Sequence, residues 1–337
     1  MLAVRREAPW QPPRAFDVPK WLMAGLFACT VLAYAVWFMP LLQDPGLMAD
    51  IIAGERSSIR DVTTTTPGIT TMTQFGVAYV IAYAAMRSSH ARPTARWEQA
   101  AMVAVFALGV IRAVAWSERL AVIELVVAYV VARLAYTRVM RERTWSLATA
   151  VPLAAPVLLY VAFTVTEYFR SWPYFVNDYD SVWEFSFERL IAYYATASNN
   201  GIGLLVENRL WPEYTGRHVV EWLYLMPGVG EVLRESMGDV QTQYFYFLSR
   251  FARPELNNQS GLFPLVFDIG YVGSMLYFVA AGVLVGALWD GWRRQARAGV
   301  LFFPMAMMFL VELLRFNYFA SSRFFPVAVA LVLIWAV

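Results

Sequence analysis

The stretch Gln99–Tyr136, QAAMVAVFALGVIRAVAWSERLAVIELVVAYVVARLAY, decides the fold class. It contains two apolar runs separated by a short polar turn at Ser117–Arg119. A helix needs about 20 mostly apolar residues to cross a bilayer, so the stretch predicts a hairpin of two membrane-spanning helices. Arg112 and Glu124 lie at similar distances on the two sides of the turn. The pattern therefore also predicts charged groups near one surface of the membrane.

Similar apolar runs recur along the chain and predict about eight spans in an all-helical bundle. They are centred on Trp21–Leu42, Thr71–Met86, Gln99–Trp116, Leu120–Tyr136, Trp145–Thr166, Leu262–Trp289, Val300–Phe316 and Ala320–Val337. The composition agrees, because 59% hydrophobic and 15% charged residues leave too little polar surface for a water-soluble globule of 337 residues. We expect a polytopic membrane protein. The net charge of +2 comes from short basic clusters and not from one basic face, so no nucleic-acid partner is expected.

Basic clusters occur in alternate connectors, and by the positive-inside rule those connectors face the cytoplasm. The clusters are Arg5, Arg6, Arg14 and Lys20; Arg87, Arg92 and Arg96; Arg138, Arg141 and Arg143; and Arg293, Arg294 and Arg297. The N-terminus is then cytoplasmic, and the long aromatic-rich connector lies outside. Three regions follow, namely an N-terminal bundle of about five spans over 1–166, a large extracytoplasmic loop over 167–261, and a C-terminal bundle of about three spans over 262–337.

The long loop has apolar-sided stretches, Ser181–Ala197 and Val232–Phe251, that predict amphipathic helices on the membrane surface. The sequence Asn199-Asn200-Gly201 predicts a helix-ending turn, because glycine readily adopts a left-handed conformation.

Charged residues near the outer ends of the predicted spans are functional candidates, because such residues are costly inside a membrane. Arg112 and Glu124 are predicted to pair, either to fasten the hairpin or to serve catalysis, and Glu312 and Arg315 stand at i,i+3 spacing. Guanidinium groups bind phosphate oxygens through paired hydrogen bonds and stay charged in apolar surroundings, so an arginine-rich outer cavity suits a phosphate-bearing lipid headgroup. The candidate arginines are Arg60, Arg112, Arg119, Arg189, Arg250, Arg315 and Arg323. Aromatic residues such as Tyr193 are candidates for contact with sugar rings.

Three short motifs occur together: Arg60 followed by Pro67-Gly68, Arg119 in a tight outer turn, and Asn257 followed by Asp268-Ile269-Gly270 and Gly273. This set resembles the Wzy-type oligosaccharide repeat-unit polymerases, the O-antigen and exopolysaccharide polymerase family. The resemblance runs from about Arg60 to Gly286. It implies a bundle similar to the GT-C-like lipid-linked glycosyltransferases and the O-antigen ligases, with one large periplasmic loop over the active cavity.

The resemblance also implies a reaction at the outer leaflet of the bacterial inner membrane. A glycan carried on undecaprenyl pyrophosphate would be transferred to the non-reducing-end sugar of another lipid-linked repeat unit. Arg60 and Arg119 would hold the pyrophosphate, and Asn257 or its neighbour Asn258, with Asp268, would order the loop–span junction or contact sugar. The expected partners are the lipid-linked oligosaccharide, membrane lipid, a flippase and a chain-length regulator, and no metal or other cofactor is expected.

The transfer also needs a base for the attacking hydroxyl group. His218 is the candidate, because one helical turn would bring it next to Glu221, and Asp239, Glu255 and Asp268 are rivals. Two other functions stay open. An O-antigen ligase would share the fold, whereas a transporter of lipid-linked glycan should carry polar groups through the middle of its spans. The apolar span centres favour a one-sided enzyme.

Overall fold

The computed structural model describes residues 14–53, 56, 58–60, 62–63, 65–136, 147–207, 213–237, 240–253 and 256–337, and every regular element in them is a helix. The predicted all-helical class is confirmed. The α-helices are α1 Lys20–Trp37, α2 Met39–Gln43, α3 Gly46–Ala53, α4 Phe75–Ser89, α5 Arg96–Ala115, α6 Leu120–Leu134, α7 Leu147–Arg170, α8 Trp172–Phe175, α9 Val182–Glu207, α10 Glu221–Tyr224, α11 Val229–Met237, α12 Val240–Phe251, α13 Phe263–Arg293, α14 Arg297–Glu312 and α15 Phe324–Ala336. Short 3-10 helices occupy Thr70–Gln74 and Tyr318–Ala320.

Three of the described helices, α1, α5 and α13, are long and apolar enough to cross a membrane. The helices α4, α6, α14 and α15 coincide with other predicted spans but have only 13 to 16 residues. Possible membrane insertion is thus supported by the three long helices, and the full set of eight spans stays a prediction.

Helix α4 forms the centre of the main core. Its residues from Gly76 to Met86 are all buried, because the sequence GVAYVIAYAAM is apolar around the whole helix. It packs against α1, α5, α6, α14 and α15. Helices α5 and α6 form the hairpin that the sequence predicts, with the turn at Ser117–Arg119.

Helix α9 connects two parts of the bundle, since it packs against both α7 and α13. It runs to Glu207, so the prediction of a helix-ending turn at Asn199-Asn200-Gly201 is wrong. Gly201 instead permits close packing, because an added Cβ would lie 2.6 Å from the Gln259 carbonyl oxygen and 2.8 Å from Phe263. Within the predicted helix Val232–Phe251, the described residues belong to α11 and α12, and residues 238–239 lie outside the described part of the chain.

Helix α13 contains a break near its beginning. Gly270 has a φ of 71° and a ψ of 175°, a backbone conformation that residues with a Cβ rarely adopt. The break lies two residues after Asp268, where the segment from Glu213 to His218 contacts the helix. The Asp-x-Gly pattern therefore marks a kinked junction between that segment and α13.

Candidate functional site

A first group of side chains, called the outer network because the predicted topology places it at the outer surface, consists of Arg112, Glu118, Glu124, Tyr318 and Arg323. The Arg112 Nε atom lies 2.9 Å from Glu118 Oε2, and Arg323 Nε lies 2.7 Å from Glu124 Oε1. Arg323 also pairs with Glu118, and the Tyr318 hydroxyl donates to Glu124 Oε1 at 3.0 Å. The predicted Arg112–Glu124 pair is therefore wrong. Glu118 in the turn reaches Arg112 first, and Glu124 takes its partner from the beginning of α15, about 200 residues away in sequence.

Arg112 and Arg323 are enclosed by these contacts. Besides Glu118, Arg112 donates to Thr73 Oγ1 at 3.2 Å, and its guanidinium carbon lies 3.6 Å from the centre of the Trp37 ring. Arg323 contacts two carboxylates. These contacts fasten the α5–α6 hairpin to α15, because Arg323 at the beginning of α15 pairs with Glu118 of the turn and with Glu124 of α6.

A second group, the Glu167 cluster, consists of Arg119, Glu167 and Arg189. Glu167, near the end of α7, is fully buried, and each of its oxygens faces a different arginine. Oε1 pairs with Arg119 from the α5–α6 turn, and Oε2 lies 2.9 Å from Arg189 Nε of α9. Glu167 is not among the residues predicted from the sequence. Its signal there is a carboxylate that directly follows the predicted span Trp145–Thr166.

Aromatic rings join the Glu167 cluster to Arg315. The Arg119 guanidinium carbon lies 3.9 Å from the centre of the Phe163 ring and 5.8 Å from that of Tyr193. The Arg315 guanidinium carbon is 5.6 Å from the centre of the same Tyr193 ring. Arg315 also forms the predicted i,i+3 pair with Glu312, at 2.8 Å. The structure thus brings together four predicted site residues, Arg119, Arg189, Tyr193 and Arg315.

Arg60 and Arg250, the remaining predicted arginines, lie elsewhere. Arg60 is exposed beside the α5–α6 turn and donates from Nε to the Trp116 carbonyl oxygen at 3.0 Å. The following Pro67-Gly68 segment contacts the long loop, because a Cβ on Gly68 would lie 3.2 Å from Pro227. Arg250 is exposed on α12 and lies against Tyr246 of the same helix. Among the described residues, no contact joins Arg250 to the Glu167 cluster.

Asp268 holds the segment from Glu213 to His218 in place. Its Oδ1 accepts hydrogen bonds from the Thr215 amide at 3.1 Å, the Thr215 hydroxyl at 2.8 Å and the Gly216 amide at 2.6 Å. Its Oδ2 accepts from the His218 amide at 2.8 Å. A carboxylate with four donors is well suited to ordering the loop–span junction, the role that the family resemblance implies. To act as a base, Asp268 would have to release some of these donors.

His218 and Glu221 do not form the predicted pair. Residues 217–220 form a turn, with Val220 at a φ of −134°, and α10 begins only at Glu221. Protein packed around the imidazole lowers the pKa of His218 to about 4, against an opposing effect of the Asp268 carboxylate. Within the described residues, its buried Nε2 has no hydrogen-bond partner. The Glu221 residue is exposed, and desolvation by the protein around its carboxyl raises the pKa of that group to about 7.

The lowered pKa of His218 predicts a specific loss of stability in acid. An unfolded histidine has its ordinary pKa of 6.5, so between pH 6.5 and about 4 the unfolded chain binds a proton that the folded chain does not. Stability should therefore fall as the pH falls through this range, and the His218→Gln variant should lose less than the wild type. Thermal unfolding midpoints in detergent at pH 7 and 4.5 measure the difference, with His90→Gln as the control at an exposed turn. An equal loss in His218→Gln and wild type would contradict the prediction.

Asn257 and Asn258 lie in a segment that α9 and α12 hold. The Asn200 side chain donates to the carbonyl oxygens of Leu256 at 2.8 Å and Asn258 at 3.0 Å. The Tyr244 hydroxyl donates to the Asn257 carbonyl oxygen at 2.7 Å. These contacts involve the backbone of both asparagines and support a role of the segment in ordering the junction. The rival bases Asp239 and Glu255 lie outside the described residues.

A metal site would need several ligands in one place. In the described part of the chain, no group of three or more His, Cys, Asp or Glu side chains is arranged to hold a metal ion. Comparisons with protein-family models, curated proteins and solved structures found no match.

Proposed function

We propose that this protein is a Wzy-type polysaccharide polymerase of the bacterial inner membrane. It spans the membrane about eight times, with the N-terminus in the cytoplasm and the 167–261 loop outside. The observation that carries the proposal is the grouping of Arg119 and Arg315 near Tyr193, with Arg189 joined to Arg119 through Glu167. The three arginines come from the α5–α6 turn, α9 and the end of α14, where the predicted topology places the outer surface.

The grouping suits a lipid-linked diphosphate for two reasons. Guanidinium groups bind phosphate oxygens with charge-assisted hydrogen bonds and do not lose their proton in partly apolar surroundings. The Tyr193 ring provides a flat apolar face between two of the arginines, on which a sugar next to the diphosphate can pack. Arg60 at the edge of the α5–α6 turn adds a positive charge that attracts the substrate.

The reaction transfers a glycan from one lipid to another. A hydroxyl oxygen of the acceptor's non-reducing-end sugar attacks the anomeric carbon of the donor glycan. The bond between that carbon and the pyrophosphate oxygen breaks, and undecaprenyl pyrophosphate leaves with its charge stabilised by the arginines. Glu221 takes the hydroxyl proton, because a pKa of about 7 suits a base near neutral pH better than the pKa of about 4 of His218.

The segment that carries Glu221 contacts the beginning of α15, close to the outer network. The Trp222 ring stacks on Phe325 with 4.2 Å between ring centres, two residues beyond Arg323 at the beginning of α15. Asp268 holds the other end of the same segment. These contacts support a loop that is fixed over the outer end of the bundle.

Reconstitution tests the proposed reaction. Purified protein receives the lipid-pyrophosphate-linked repeat unit of its own host, verified by mass, and product length is followed on a gel. We expect a ladder of longer lipid-linked glycans, and a rate about a hundredfold lower for Arg189→Ala, which removes one charged contact to the leaving group. Arg294→Ala is the matched control, because Arg294 is exposed and pairs with Asp290 on α13.

Other outcomes would overturn the polymerase. Unchanged substrate with the wild-type protein would contradict the proposal. A single transfer onto an added lipid A–core acceptor, without a ladder, would show a ligase. Movement of the lipid-linked glycan across the membrane without a new glycosidic bond would show a transporter.

A further inference from the structure

Glu167 joins two arginines that come from separate elements. We propose that Glu167 is a positioning residue, which holds Arg119 and Arg189 together as a single site for a diphosphate group. This inference rests on the proposed function insofar as it assigns a diphosphate ligand to these arginines. It adds a residue that neither the predicted set of site residues nor the family resemblance includes.

The contacts explain why a carboxylate is needed there. Two guanidinium groups in a partly buried place repel each other, and one carboxylate with an oxygen toward each offsets that repulsion. Without Glu167, each arginine would lower its free energy by turning toward solvent, away from the other arginine. The pair would then lose the spacing that binds two phosphate oxygens at once.

The burial of Glu167 favours a supporting role over competition with the ligand for the two arginines. The Glu167 side chain has no exposed surface, whereas the side chains of Arg119 and Arg189 are 18% and 11% exposed. A ligand that arrives from outside therefore meets the guanidinium groups before the carboxylate. Glu167 supports the arginines from the buried side and does not occupy the ligand's place.

Aromatic rings support the same arrangement. Arg119 lies over Phe163, and Arg189 lies 5.6 Å from the ring centres of both Phe175 and Phe185. Phe163 and Glu167 are one helical turn apart on α7, so α7 presents an aromatic ring and a carboxylate to the same arginine. Helix α7 thus forms the support for arginines of two other elements.

Binding of soluble diphosphates to the purified protein in detergent tests the inference without glycan transfer. Inorganic pyrophosphate and farnesyl diphosphate are titrated by calorimetry against wild type, Glu167→Gln, Glu167→Asp and Glu98→Gln. Glu98 is the matched control, because it is also fully buried and paired with an arginine, Arg92, at the opposite end of α5 from the Ser117–Arg119 turn. We expect Glu167→Gln to weaken both ligands about tenfold, Glu167→Asp to weaken them less, and Glu98→Gln to bind as the wild type does.

A double-mutant comparison provides a readout that a merely structural role would not change. In the wild-type background, Arg119→Ala and Arg189→Ala should be non-additive, since removal of either breaks the common site. In the Glu167→Gln background, each alanine substitution should have a much smaller effect. Should Glu167→Gln fail to fold, Glu167→Asp retains the charge and must still weaken binding.

Unchanged or tighter diphosphate binding in the folded Glu167 variants would overturn the inference, as would absence of binding to the wild type. Tighter binding of farnesyl diphosphate than of pyrophosphate would assign the site to a lipid-linked diphosphate. Equal affinities would assign it to the diphosphate alone. Either order of affinities supports the inference, provided that Glu167→Gln weakens the binding of both ligands. Diphosphate binding by a protein that forms no glycan ladder would reject the polymerase and leave the role of Glu167 standing.

Discussion

Replacement of Arg323 by methionine should lower the free energy of unfolding by about 3–5 kcal/mol, because it leaves the buried Glu124 without an ion-pair partner and leaves Glu118 with Arg112 alone. Arg323 pairs with both Glu118 and Glu124, and Glu124 is almost fully buried. Methionine fills a similar volume, so the loss reports the charge and not a cavity. Reversible unfolding of the purified protein in mixed micelles measures the effect.

Two further variants identify the cause of that loss. Arg294→Met removes an exposed arginine with an i,i+4 partner and should cost less than about 1 kcal/mol. The double variant Arg323→Met with Glu124→Gln should recover part of the loss, since it removes the Glu124 charge that Arg323→Met leaves without an ion-pair partner. A loss below about 1 kcal/mol for Arg323→Met alone would show that the outer network does not fasten the bundle.

Asp268→Asn should release the segment from Glu213 to His218 from α13, at a cost of about 3 kcal/mol. The asparagine side chain keeps one acceptor oxygen and presents an NH₂ group to amides that donate to a carboxylate oxygen in the wild-type protein. Hydrogen bonds to a charged group contribute about 1.5–3 kcal/mol each, and at least one of the two oxygens is lost as an acceptor. The expected result is local opening around the junction at Gly270.

Hydrogen–deuterium exchange followed by mass spectrometry measures this opening directly. The amides of Thr215, Gly216 and His218 should exchange faster in Asp268→Asn, because they donate to the carboxylate in the folded protein. Asp290→Asn on the same helix is the matched control, since Asp290 is exposed and pairs only locally with Arg294 among the described contacts. Unchanged exchange in the 213–225 segment would contradict the anchoring role of Asp268.

The local features of the fold could be predicted from sequence. The apolar runs predict the helices of the bundle, and the Ser117–Arg119 turn forms the expected hairpin between α5 and α6. The Glu312–Arg315 pair was predictable too, because its partners are three residues apart on one helical turn. Each of these features depends on neighbours in sequence, so hydrophobic periodicity and spacing contain the information.

The partners of the other charged residues could not be predicted in the same way. Arg112 and Glu124 lie symmetrically about the turn. Arg112 nevertheless pairs with the nearer Glu118, and Glu124 pairs with the distant Arg323. Gly201 was interpreted as a helix end, although it is needed where α9 meets the 259–263 segment. His218 and Glu221 have helical spacing, but the turn between them is not helical.

The sequence by itself determined an apolar, all-helical chain with arginines near the ends of its predicted spans. Only the tertiary structure decided which carboxylate pairs with Arg323 and which arginines lie near Tyr193. Glu167 shows the difference most clearly, since it joins Arg119 and Arg189, which are 70 residues apart in sequence. The physical reason is that helix formation depends on the local sequence, whereas buried charges select their partners by the three-dimensional packing of helices that are distant in the chain.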